Sequence, residues 1–108
     1  MANTFKKDIL DVTSSETTIY TAPASTQVVL MSLRITNVNA STADAITANI
    51  VESGGANVHI ASTINVPSDS TLELIEQKIV LEAGDVLKLK GNQSSGYLEA
   101  IASVLEIS

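Results

Sequence analysis

Any acid–base or nucleophilic chemistry in this chain would fall to Asp44, Asp69, Glu73 and Asp85, to the single histidine, His59, and to the many serines and threonines. Paired carboxylates can share the work of cleaving a glycosidic bond, but these four are spread along the chain without a recognisable spacing. Nucleophilic catalysis needs a base and a group that orients it. His59 is the one conventional base, and no Gly-x-Ser-x-Gly elbow occurs. A cupin-type metal site takes two or three histidines plus a carboxylate, and the absence of cysteine removes thiolate sites altogether. Oxygen ligands remain, and they would have to come from Asp44, Asp69 and Asp85. No alternating calcium-loop pattern joins them. Gly54-Gly55 is not followed by Lys-Ser or Lys-Thr, so it is not a phosphate loop. The expectation is a protein that is not an enzyme, with no cofactor and no metal.

The elements that would position such groups read as short strands. In QVVLMSLRITNV (27–38) a period of two puts Val29, Met31, Leu33 and Ile35 on one face and Leu30, Ser32, Arg34 and Thr36 on a wetter one. DAITANIVE (44–52) places Ile46, Ala48 and Ile50 inward. NVHIASTI (57–64) places Val58 and Ile60 inward and His59 outward. Leu72 and Leu74, and later Leu87 and Leu89, alternate in the same way. Turn clusters separate the runs: Ala22-Pro23, Asn39 to Thr42, Ser53-Gly54-Gly55, the stretch around Pro67, and Asn92 to Gly96. Proline lacks a ladder donor, so Pro23 and Pro67 belong in turns. Phe5 to Val12 is a first strand or a lead-in arm within residues 1–15. Strands recurring at this interval predict one antiparallel β-sandwich over residues 1–108, jelly-roll or immunoglobulin-like, with about 7–9 short strands.

In LEAGDVLKL (81–89), Gly84 supplies a positive φ without a Cβ penalty and Asp85 braces nearby backbone amides. The segment reads as a hairpin corner, with Asp85 structural rather than catalytic. The net charge is −6, and the six basic residues are scattered rather than clustered. Phosphate backbones are bound by grouped lysines and arginines, so direct nucleic-acid binding is not expected. No apolar run has the length of a membrane span or a secretory signal, and there is no cysteine, so synthesis in a reducing cytoplasm is expected.

The last run, YLEAIASVLEI (97–107), is apolar on both faces. Leu98, Ala100, Ala102 and Val104 form one side. Tyr97, Ile101, Leu105 and Ile107 form the other, interrupted by Glu99 and Ser103. Two readings stand: a central strand with some exposed apolar atoms, or a subunit or partner interface through Tyr97, Ile101, Leu105 and Ile107.

Read together, YTAPAST (20–26), LRITN (33–37), INVPSDSTLEL (64–74), IVLEAGDVLKL (79–89) and YLEAIASVLEI (97–107) resemble, in order and spacing, small all-β virion proteins of tailed bacteriophages. The resemblance covers about residues 17–107. It implies a structural component of the particle, either a head decoration or a neck or tail accessory protein, located in the virion and docked on other structural proteins. It implies no catalysis. It also favours a homo-oligomer, with three copies the expected number because many phage fibres and decorations are trimeric. The alternative, from a different class, is a carbohydrate-binding β-sandwich, for which Tyr20 and Tyr97 are the candidate aromatic platforms.

Overall fold

The alternating runs become nine strands in the computed structural model, which describes residues 2–108. They are β1 (Asn3–Val12), β2 (Thr17–Thr21), β3 (Gln27–Asn37), β4 (Asp44–Val51), β5 (Asn57–Val66), β6 (Thr71–Glu73), β7 (Ile79–Leu81), β8 (Val86–Lys90) and β9 (Leu98–Ile107). No helix occurs among the described residues. One sheet runs β1-β9-β3, with β6 and β7 end to end along the far edge of β3. The other runs β2-β8-β4-β5. Every pairing is antiparallel and the pairs nest: β1 with β9, β2 with β8, β3 with β6 and β7, β4 with β5. This is the jelly-roll arrangement, a long ribbon doubled at Glu52–Ala56 and wrapped into two layers.

The layers meet through leucines, isoleucines and valines. Leu30, Leu33 and Ile35 of β3, with Leu98 and Val104 of β9, face Ile46 of β4 and Leu87 and Leu89 of β8, all fully buried. Burying each such side chain contributes about 1.5–3 kcal/mol. Ala100 and Ala102 keep the middle of β9 thin, which leaves room for the larger residues packed against it.

Three expectations need correction. First, Val29 and Met31 do not point inward; Val28 and Leu30 do, followed by Leu33, Ile35 and Asn37. The register with β9 passes from Leu30↔Val104 to Ser32↔Ser103, so Met31 is an extra residue on β3. A bulge inverts the parity of everything beyond it. It lies where the partner of β3 changes from β7 (Val28–Leu30) to β6 (Arg34–Thr36). The gap is filled by the Glu73 carboxylate, which accepts from the Ser32 hydroxyl (2.6 Å), the Leu33 N–H (2.8 Å) and the Ile75 N–H (3.1 Å).

Second, the Glu82–Asp85 corner is not a hairpin. β7 belongs to one sheet and β8 to the other, so the corner carries the chain across the sandwich. Third, Val58 is 57% exposed, although its pairing with Ile50 puts it on the inner side. Ile46, Ala48, Leu87 and Leu89 are buried as expected, and His59 is exposed.

Candidate functional site

Asp44, Asp69, Glu73 and Asp85, the acidic side chains considered in sequence, form no common cluster among the described residues. Asp44 is buried at the start of β4, where Oδ1 accepts from the Ala45 N–H (2.7 Å) and the Asn92 N–H (2.8 Å) and Oδ2 has no partner. Asp69 sits in the turn after Pro67 with φ +54°. Asp85 braces its corner, its Oδ2 accepting the Glu82 N–H at 2.9 Å. Gly84, at φ +87°, donates its N–H to Ala22 O, and the Ala22 N–H donates to Asp85 O. The corner is thereby stitched to the end of β2 just ahead of Pro23. The companions of Asp85 are Glu52 and Glu82, with carboxylate oxygens within 4.8 Å of one another, and all three line an open depression. These two were not singled out in sequence because they lie on separate turns. His59 pairs with Asn49 on the outer surface of β5, away from this trio.

The outer faces of the two sheets carry opposite chemistry. Across β2-β8-β4-β5 one row reads Thr18, Lys88, Asn49, His59. Across β1-β9-β3-β7 the corresponding row reads Phe5, Leu105, Val29, Val80. A second row on that sheet reads Ile9, Ile101, Arg34, Glu73. Phe5 is 71% exposed, Ile9 and Val80 64%, and Ile101 39%. Opposed side chains in adjacent strands stand about 4.5–5.5 Å apart, so the row is one continuous apolar stripe across four strands. A contiguous stripe carries more meaning than isolated exposed leucines.

Ile101, Leu105 and Ile107 therefore lie on this face. Tyr97 stands just ahead of β9, half-buried, with its carbonyl accepting the Val38 N–H (2.9 Å). Because β9 is flanked by β1 and β3, it is a central strand, with some of its apolar atoms exposed on the outer side. Sequence reasoning did not nominate Phe5, Ile9, Val29 or Val80. Phe5 and Ile9 do share a parity, but only the tertiary pairing sets them beside Leu105 and Ile101. Val29 was hidden by the bulge.

Under the same strands lies a polar group on the inner side. Glu106 has the parity of Leu98 and Val104 and is buried. The Tyr20 hydroxyl donates to Glu106 Oε2 at 2.5 Å, and Lys6 Nζ lies 3.2 Å from Oε1. The Tyr20 hydrogen bond holds the Glu106 carboxyl below its ordinary range; burial opposes this and Lys6 assists it. Burial, reinforced by Glu106, pushes the Tyr20 phenol well above its usual range. Tyr20 is 6% exposed, which removes it as a sugar-stacking platform.

No family model matches the chain, and no curated protein matches it in sequence.

Proposed function

We propose that the protein is a non-catalytic structural component of a bacteriophage virion that docks on other particle proteins through the outer face of the β1-β9-β3 sheet. The apolar row Phe5–Leu105–Val29–Val80 carries this reading. Removing such a row from water stabilises association by about 25 cal/mol per Å², offset by lost rigid-body freedom. The ordered motifs that resemble phage virion proteins supply the biological setting. The jelly roll suits it, since that fold builds viral capsid domains and, equally, lectins. Mass spectrometry of purified particles tests the setting, and a Phe5→Ser/Leu105→Ser double variant tests the face. The expected result is the chain in the wild-type particle and its loss in the variant. Uptake of the variant at wild-type level removes the face from the reading. Retention on a glycan array with no incorporation into particles replaces the reading with sugar binding.

A further inference from the structure

The sandwich has four sheet edges, and three are blunted against pairing with another strand. β6 and β7 are three residues each. β2 is five residues long and carries an irregularity between Thr18 and Tyr20. β5 is ten residues long but has register shifts opposite Ile46 to Asn49, and Thr63 sits at φ +51°. Short strands and bulges are the usual devices that keep an edge from pairing. β1 has neither. Its ten residues pair with β9 without a single shift, its other edge pairs with no described strand, and residues 3–7 are exposed whether they point to the outer or the inner side.

The side chains of β1 identify what fits that edge. Ala2 and Ser108 exchange both backbone hydrogen bonds at 3.0 Å. In an antiparallel ladder such pairs alternate, so even residues of β1 bond to β9 and the odd ones, Asn3, Phe5, Lys7, Ile9 and Asp11, turn their N–H and C=O groups to the free edge. We propose that a second copy of this chain pairs antiparallel along β1, about a dyad at Lys7. This register joins odd residues to odd residues in about ten backbone hydrogen bonds. It sets Phe5 beside Ile9 of the second copy, twice, on the outer face. It sets Lys6 opposite Asp8 of the second copy, twice, in the more closely spaced pairs of the inner side. The apolar row then runs on across the dyad, from Val80, Val29, Leu105 and Phe5 into Ile9 and Ile101 of the second copy. The charges Lys6, Lys7 and Asp8 repel an arbitrary strand, yet Lys6 and Asp8 complement their own reverse. Lys7 meets its own copy at the dyad, where two long stems splay into solvent. The resemblance to phage proteins implies three copies, whereas this edge is complementary to itself only about a two-fold axis.

The dimer deepens the docking proposed above by doubling the same face, and it is tested on the isolated chain. Light scattering is expected to give twice the chain mass of 11.3 kDa. The chain has no cysteine, so single-cysteine variants report position cleanly. Cα atoms of a hydrogen-bonded pair lie about 5.5 Å apart, within disulfide range. Lys7→Cys is therefore expected to oxidise to a covalent dimer, and Val58→Cys on β5 to stay monomeric in denaturing gels. Lys7→Pro deletes a donor on the free edge without touching the β9 ladder, and is expected to weaken the dimer at least tenfold with an unchanged circular-dichroism spectrum. A monomeric or trimeric mass overturns the edge pairing, as does a dimer that Lys7→Cys does not cross-link or that Lys7→Pro leaves intact. A monomer that particles still take up overturns this pairing alone. A dimer that no particle contains overturns the virion reading alone.

Discussion

The two sheets of this sandwich are built by the same backbone rules, yet the outer side of one carries Thr18, Lys88, a buried Asn49 and His59 in a row, and that of the other carries Phe5, Leu105, Val29 and Val80. The inner sides of both are mainly apolar. The core therefore accounts for the inner residues of each sheet, and it accounts for none of the second row. The polar row is what a solvated antiparallel sheet presents. The apolar row leaves Phe5 and Val80 largely exposed in the single chain, and that exposure is the observation behind the proposed docking. A sandwich can separate the two tasks because alternate residues of one strand belong to different surfaces.

The contrast breaks most directly when one strand is cut on each side. Leu33→Ala, on the inner side of β3, is expected to lower stability by about 2–5 kcal/mol, because the neighbours cannot close the cavity. On the outer side of β9, Ile101→Ser with Leu105→Ser is expected to cost the monomer under about 1 kcal/mol and to leave its β circular dichroism intact. Chemical denaturation of both variants checks the pair. Equal losses would mean that the outer row belongs to the core.

The corner between the sheets offers a second, smaller contrast. At Gly84 a Cβ would meet the Ser53 Cβ at 2.9 Å and φ is +87°; at Gly54 nothing lies within 4 Å. Gly84→Val is expected to cost at least about 2 kcal/mol through strain and overlap, while Gly54→Ala is expected to change stability by about 0.5 kcal/mol or less. Thermal melts of the two variants measure the difference. A Gly84→Val protein as stable as wild type would show that the chain can cross between the sheets by another path.

Acid sharpens the comparison of the inner and outer sides of the β1-β9-β3 sheet. Burial pushes Glu73 up, but the hydrogen bonds from Ser32, Leu33 and Ile75, with Arg34 nearby, outweigh it and hold the carboxyl below 4.5. Glu106, on the inner side, is lowered as well. A carboxyl depressed in the folded state binds fewer protons there than in the unfolded chain. Its stabilisation is complete above the unfolded value, about 4.5, and is lost as pH falls through the folded value. The denaturant midpoint is therefore expected to drop below about pH 4.5, less steeply in Glu73→Gln and in Glu106→Gln, each compared with its own neutral-pH midpoint. Unchanged slopes in both variants would assign acid sensitivity to other carboxyls. The smallest effect is expected from metal removal: dialysis against EDTA should leave the melting temperature where it was. A loss restored by calcium would make Glu52, Glu82 and Asp85 an ion site.

Period-two alternation alone specified an all-β sandwich, the buried Leu87 and Leu89, the inner row of β9 and the exposed position of His59, because a strand has only two sides and the core takes the apolar one. The turn chemistry of Gly84 and Asp85 was equally legible, since it depends on four neighbouring residues. Tertiary structure decided what local pattern cannot carry. The bulge at Met31 exists because β3 changes partners there, and it exchanged Val29 for Leu30 in the core. The corner crosses between sheets because β7 and β8 find different neighbours. Glu106 is buried beside Tyr20, which lies 86 residues earlier in the chain. The apolar stripe assembles from four strands that are scattered in sequence, and only their pairing makes isolated residues into one surface.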